Sequence, residues 1–447
     1  MPTVDQGAST ISSSISLVKT IIGAGLLSMP LAFSTDGIVA GIFIILLAAV
    51  TSGYGLFLQA YTSKYVPTGH ATFFNLCSVT YPTLSVVFDI AIAVQCFGCA
   101  LSYLVLIGDI TPTIITYVPY VDPEHHRTFW ILVSTIICVP LSFLKNLDSL
   151  KYTSILGLVA IFYMSLLVIG HFLIGDVPSE LKGDIVLIPP TVTGIFSTFS
   201  IIVFAFTGHQ NMFSIVNEAR DKSLTSLTGL VNLAILISAV LFIVVGLAGY
   251  LTFGDKVNGN VILSYPNAWT TSLGRFCIVF MVIFSFPLMI HPARISVNNI
   301  YYWTKINLFH QPESEEATAP PSESTGLLSA TETHESLEIA ATKAQSHIVP
   351  FPDNVFIIIT AALLIAGYIL AITIKSFALV LAIVGATGST AISFILPGLF
   401  GWKLIGSESD DPSVLEVIFK NLSLGLTIWG FVVMVLCLYT SLFLNQV

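Results

Sequence analysis

Residues Ser16–Phe33 read SLVKTIIGAGLLSMPLAF, an apolar run that would cross a bilayer as a helix but for two features. Gly23-Ala24-Gly25 interrupts it, and Lys19 places an ammonium inside it. In hydrocarbon every backbone N–H and C=O needs an internal partner. A helix broken at membrane depth is therefore tolerated only where protein or a water-filled cavity surrounds the break. Membrane carriers hold small solutes at such interruptions. A second interruption follows in FAFTGHQN, Phe204–Asn211. There Gly208 weakens the helix, and Thr207, His209, Gln210 and Asn211 bring polar groups into an apolar stretch. Polar clusters inside spans are costly and usually functional. Two broken helices in one chain point to solute transport.

The rest of the chain supplies the membrane protein that such breaks require. Of 447 residues, 55% are hydrophobic and 9% charged, with mean hydropathy +0.91. A soluble domain carries about 25% charged residues, so lipid is the solvent for most of this chain. Eleven apolar spans are expected, at roughly 11–35, 38–60, 84–111, 128–145, 152–175, 192–216, 225–253, 269–291, 353–374, 376–401 and 420–443. A span needs about 20 mostly apolar residues. The fold class is all-α integral membrane.

With eleven spans, the even-numbered connections share a side with the N-terminus. That side collects ten Lys and Arg against five on the other, with Lys19 inside a span. The bias expects a cytoplasmic N-terminus, residues 1–10. The first span has no basic residue ahead of it and no small-residue cleavage site, so it is expected to stay as a span rather than be removed as a signal peptide.

The net charge of −9 is mostly local, since seven Glu and one Lys fall between Glu313 and Lys343. Residues 311–349 are rich in Ser, Thr, Glu and Pro, and are expected to form a disordered acidic cytoplasmic loop. Within it, Glu323, Leu327 and Leu328 have the spacing of an acidic dileucine sorting signal, the kind that coat adaptors read on endosomal and vacuolar cargo. No basic stripe suggests nucleic acid as a partner. The six cysteines fall mostly in apolar stretches, and Cys96-Phe-Gly-Cys99 lacks the context of a redox motif. No nucleophile–base pair, metal set or phosphate-binding loop is visible, so neither an enzyme nor a nucleotide-driven pump is expected. No cofactor is called for beyond a coupling ion.

The break at Gly23, Ala24 and Gly25 has a specific chemistry. It frees N–H groups at the start of a half-helix, whose partial positive charge suits a carboxylate. The carbonyls that end the preceding half suit an ammonium or a cation. An amino-acid zwitterion offers both charges. The competing reading is close packing of two helices through small residues; the second break, at Phe206, Thr207, Gly208 and His209, favours a site. Lys19 lies roughly 12 Å into its span at helical rise. A charge there costs about 2.5 to 3.5 kcal/mol on insertion scales. Either it snorkels to the near surface or its ammonium occupies a cation position in the core, with a proton then doing the coupling work. Asp89, Asp109 and Glu218 sit near span ends and are weaker candidates for proton relay. His291-Pro292-Ala-Arg294 reads as the end of the eighth span with a cytoplasmic Arg anchor.

Several motifs together resemble the amino acid/auxin permease family. They are Lys19-Thr-Ile-Ile-Gly23-Ala-Gly25 through Pro30, Phe206-Thr-Gly-His209-Gln-Asn211 with Asn217-Glu218, Gly249 to Gly254, Phe286-Pro287 through Arg294, and Gly385-Ala-Thr-Gly388-Ser389-Thr390. They cover almost the whole chain outside the acidic loop and are most similar to the fungal vacuolar branch. The resemblance implies a leucine-transporter-type fold. Residues 11–175 would form one five-helix repeat, 192–303 with 353–401 its inverted partner, and 420–443 an eleventh helix. It implies neutral amino acids as substrates, moved by alternating access from an acidic vacuole to the cytosol, with H+ as the coupling ion. Substrate would lie between the two breaks.

Sodium-coupled relatives carry Asn where this chain has Lys19, and Thr near Ser285. A fixed ammonium beside a sodium site repels sodium, so sodium independence is expected. Ser285, Ser389 and Thr390 are further candidates for ion coupling. A plasma-membrane importer and a non-transporting amino-acid sensor are the alternatives.

Overall fold

The computed structural model describes residues 7–145, 151–188, 192–309, 351–408 and 411–444, and their regular structure is helical apart from one isolated bridge. The acidic segment 311–349, with Glu323, Leu327 and Leu328, lies outside the described residues.

Helix α1 (Thr10–Ile21) starts at Ser9, whose hydroxyl accepts from the Ser12 N–H at 3.3 Å. It ends where Ile22 and Gly23 leave helical geometry, at ψ 93° and −144°. A 3-10 turn over Ala24–Ser28 leads into α2 (Met29–Thr62), with Pro30 in the first turn, where no N–H is needed. Two helices meet inside α2 at Gly37, φ 72°. A Cβ there would sit 2.9 Å from the backbone of Leu187 and Ile188, so sterics and dihedral both require glycine. This kink is the boundary expected between the first two spans.

A short helix α3 (Phe73–Thr80), capped by Thr72, precedes α4 (Ser85–Ile114). The fourth span is divided at Ser134 into α5 (His126–Val133) and α6 (Thr135–Ser142). Then come α7 (Lys151–Ile174), α8 (Val192–Ala205), α9 (His209–Glu218) and α10 (Leu224–Phe253). Helix α11 (Trp269–Phe309) is followed by α12 (Asp353–Thr373). The tenth span is α13 (Phe377–Val384), two π-helical turns over Gly385–Ser389 and Ala391–Ile395, and α14 (Leu396–Leu404). Helix α15 (Val414–Phe443) opens with a capping box between Ser413 and Glu416.

Among the described residues, nine helices are long and apolar enough to cross a membrane. The difference from eleven has two local causes. The first two spans run together across Gly37, and the halves of the fourth are eight residues each.

The eighth span also differs from expectation. Helix α11 passes Pro287 and Pro292 and runs for 41 residues, about 60 Å at helical rise. Arg294 is therefore no surface anchor. It is 1% exposed and donates to the Ser142 carbonyl at 2.8 Å, to Thr360 Oγ1 at 3.2 Å and to His291 Nδ1 at 3.0 Å, with Phe356 under the guanidinium at 4.0 Å. It clamps α6, α11 and α12 together.

On the N-terminal side, Ala8 N–H donates to the Glu218 carbonyl at 2.9 Å and Arg220 N–H to Ala8 at 3.0 Å. The start of α1 is thereby tied to the end of α9. The opposite, distal side is closed over the break. Ser28 Oγ donates to the Gly259 carbonyl at 2.6 Å, and Phe33 stacks on Tyr250 at 6.5 Å. Ile38 and Val39 N–H groups donate to the Val186 and Leu187 carbonyls. Asp36, under this closure, is fully buried and accepts from Thr198 Oγ1 at 2.7 Å.

Candidate functional site

The two breaks face each other because small residues let them approach. A Cβ on Gly25 would lie 2.6 Å from Ala205 Cβ, and one on Gly208 would lie 2.8 Å from Ile21 Cγ1. Glycine at 25 and 208 thus serves packing. Gly23 is different, since nothing lies within 4 Å of its added Cβ. Close packing therefore explains Gly25, whereas Gly23 faces open space.

Between the breaks lies a cavity of about 460 Å³, in the size range of small-molecule sites. Gly23, Ala24, Gly25 and Thr207 line it from the breaks, and Lys19 and Ser285 from α1 and α11. The first N–H groups of the turn at Ala24 have no partner within that turn by helix geometry. Gln210 also lines the cavity, and its Oε1 is buried with no partner among the described residues. Ile161, Met281 and Leu288 form an apolar wall, and methionine adapts to side chains of different shape. Exposed Ser16, Asn211, Ser214 and Glu218 line the mouth, whereas Leu26–Pro30 are buried, so the cavity opens toward the N-terminal side.

Lys19 is half-buried at the cavity wall and makes no hydrogen bond or ion pair among the described residues. Its ammonium lies in the last turn of α1, where the helix dipole favours a cation.

Five of the residues singled out from the sequence do not line the cavity. Phe206 is fully buried and packs edge-on against Phe242 at 4.9 Å. Gly208 packs on α1. His209 is fully buried, with Nε2 3.1 Å from the Ser52 carbonyl and Nδ1 3.0 Å from Ser393 Oγ. The carbonyl fixes the tautomer: Nε2 carries the hydrogen and Nδ1 accepts from Ser393. Gln59 Nε2 donates to the His209 carbonyl at 3.1 Å. His209 thus joins α2, α9 and the tenth span instead of meeting a solute. Thr390 Oγ1 donates to the Gly385 carbonyl at 2.7 Å, five residues back, as a π-turn brings them together. Ser389 donates to Gln95 Oε1 at 2.7 Å.

That last contact identifies a residue the sequence reading missed. Gln95 lines the cavity from α4, with its oxygen held by Ser389. The signal was a lone Gln between Val94 and Cys96 in an apolar run. Cys99 and Tyr103, one and two turns on, line the same wall. Asp109 and Asp89 have structural partners, Arg127 at 2.7 Å and Asn299 at 3.1 Å.

A cavity enclosed by two broken helices in an all-helical membrane fold is the arrangement of a solute carrier. The chain matches the family described as "Transmembrane amino acid transporter protein" over residues 6–442, and it belongs to that family. It is 42% identical to vacuolar amino acid transporter 7 of Saccharomyces cerevisiae, over 98% of this chain and 98% of that one. It is 29% identical to sodium-coupled neutral amino acid transporter 7 of Bos taurus, over 66% of this chain and 65% of that one. The inward-facing conformation of Mhp1 superposes with TM-score 0.52 at 11% identity, covering 99% of this chain and 92% of that chain, which places the fold in the leucine-transporter type.

Proposed function

We propose that this chain is a secondary active transporter of neutral amino acids in a vacuolar membrane, its N-terminus cytoplasmic, exporting substrate to the cytosol by alternating access with protons as the coupling ion. The vacuolar and neutral-amino-acid relatives support the location and the substrate class. The substrate carboxylate would meet the N–H groups at Ala24 and Gly25, and its ammonium the Gln210 oxygen. The side chain would face Ile161, Met281 and Leu288, where a charged group finds no partner. In this reading the present conformation is the one open to the cytosol.

The observation that carries the coupling assignment is the Lys19 ammonium, without a partner among the described residues, lining the same cavity as Ser285. A fixed positive charge there repels sodium, since unit charges a few ångströms apart interact by several kcal/mol at an intermediate dielectric. Lys19→Asn is expected to lower proton-driven uptake at least tenfold while amino-acid binding persists. Uptake in Lys19→Asn that keeps the wild-type pH dependence removes Lys19 from the coupling role.

A second prediction uses Cys99, the cysteine on the cavity wall. In a variant that keeps Cys99 and replaces the other five with serine or alanine, a small methanethiosulfonate is expected to label the chain. Transported amino acids should slow that labelling severalfold. Labelling indifferent to substrate would place the solute elsewhere.

A further inference from the structure

Asp36 is a buried carboxyl with no part in the solute cavity. It sits in α2 one residue before the kink at Gly37. Thr198 of α8 is its hydrogen-bond partner, 2.7 Å from Oδ1, while Oδ2 is buried with no partner among the described residues. An ionised carboxylate offers about four acceptor positions, and here one hydroxyl meets them. That hydroxyl is itself shared. Thr198 Oγ1 also lies 3.1 Å from the Gly194 and Ile195 carbonyl oxygens, and it has a single hydrogen to give.

No cation offsets a charge at this place. Of the elements packed on this end of α2, α8 brings hydroxyls alone, and α10 brings Tyr250, whose hydroxyl accepts from the Val186 N–H at 2.7 Å. Helix α15 brings Cys437, which is buried, and the distal connections bring Lys182, Asp184, Asp255 and Lys256, which are exposed. Among the described residues Thr198 alone acts on the carboxyl. A buried charge without a counter-charge is so costly that the group takes up a proton instead. Protonated, Asp36 donates from Oδ1 to Thr198 Oγ1, and the Thr198 hydrogen turns to the Gly194 carbonyl. Each hydrogen then has an acceptor with no heavy atom moved.

We propose that Asp36 is a proton-binding site that latches the distal gate. The closed gate holds Asp36 as the neutral acid against Thr198. Opening parts α2 from α8, wets the carboxyl and lets the proton leave toward the distal side. The cover over this place is the segment 186–188. Ile38 and Val39 N–H groups donate to its Val186 and Leu187 carbonyls at 3.3 and 3.1 Å, and Gly37 packs under Leu187 and Ile188. Closing takes one proton from the distal side and opening returns it there, so this proton is not consumed in the cycle and the coupling given to Lys19 is separate. The closed state binds one proton more than the open one. Acid therefore favours closure, and each pH unit above the titration of the open state raises the ratio of open to closed up to tenfold. This rests on the reading of the chain as an alternating-access carrier and adds the group through which distal acidity acts on it.

The test is hydrogen exchange of the full-length chain in detergent from pH 5 to 8, read by mass spectrometry and run beside uptake into proteoliposomes. The Ile38 and Val39 amides report closure directly. Dividing their rate in the wild type by the rate in Asp36→Asn at the same pH cancels the intrinsic pH dependence of exchange and the effect of every other titrating group. The ratio is expected near one at pH 5 and at least tenfold higher at pH 8. Thr198→Val keeps the carboxyl and removes its partner, so it is expected to open at a lower pH than the wild type; this variant decides the matter should Asp36→Asn fail to fold. A ratio that stays constant with pH, or a Thr198→Val profile that matches the wild type, would overturn the proposal. Either result beside normal proton-driven uptake leaves the carrier reading intact. A pH-dependent ratio in a chain without flux would overturn transport and leave the proton site standing.

Discussion

His209→Ala is expected to destabilise the chain by about 3–5 kcal/mol. Removing the ring leaves the Ser393 hydroxyl without its partner and takes from the Ser52 carbonyl the bond it accepts beyond its helical one, in a fully buried region. The orphaned hydroxyl costs about 1–3 kcal/mol, and the emptied ring volume adds a cavity term. Thermal unfolding in detergent measures the effect, together with amino-acid affinity in the fraction that stays folded. The folded fraction should bind with affinity near that of the wild type. A variant of wild-type stability that has lost affinity would instead return His209 to the substrate site.

Gly25→Ala is expected to reduce transport at least tenfold, while Gly23→Ala leaves the fold intact and weakens substrate binding. At Gly25 the new methyl would lie 2.6 Å from Ala205 Cβ and 2.7 Å from Ala205 Cα, so the backbones at the two breaks must move apart. Overpacking of this kind costs about 1–3 kcal/mol, and it displaces the N–H groups proposed to face the solute. A misplacement of about 1 Å at a binding centre is worth a hundredfold in rate in comparable sites. At Gly23 the methyl enters the cavity and meets no protein atom within 4 Å. Uptake kinetics beside thermal unfolding separate the two. Gly25→Ala should lower both maximal rate and stability, and Gly23→Ala should raise KM with stability unchanged. Equal behaviour of the two variants would contradict the division between packing and site.

The membrane spans and both breaks were legible because hydropathy and glycine placement are local signals. The kink at Gly37 falls between the expected ends 35 and 38, and Lys19 reaches the cavity from α1. What was not legible depends on rotation and on neighbours. One residue along α9 separates Gln210, which lines the cavity, from His209, which turns into the core, and no pattern in FTGHQN states that angle. Ser389 and Thr390 sit in π-helical turns, where an extra residue per turn shifts every later side chain around the axis. A period of 3.6 misplaces them. Gln95 became visible only when Ser389 arrived from a segment nearly three hundred positions away. Pro287 and Pro292 were read as a helix end, yet α11 continues because α4, α6 and α12 pack along it. Arg294 was read as an anchor for the same reason, since only tertiary structure brings Ser142 and Thr360 to it.

Uptake of labelled glycine, leucine and glutamine into proteoliposomes, under an imposed proton gradient and with or without sodium, tests the central claim most directly. The account predicts accumulation of at least one of them that follows the proton gradient, collapses with a protonophore and is indifferent to sodium. Accumulation that requires sodium would contradict the role given to Lys19, and binding without flux would contradict transport itself.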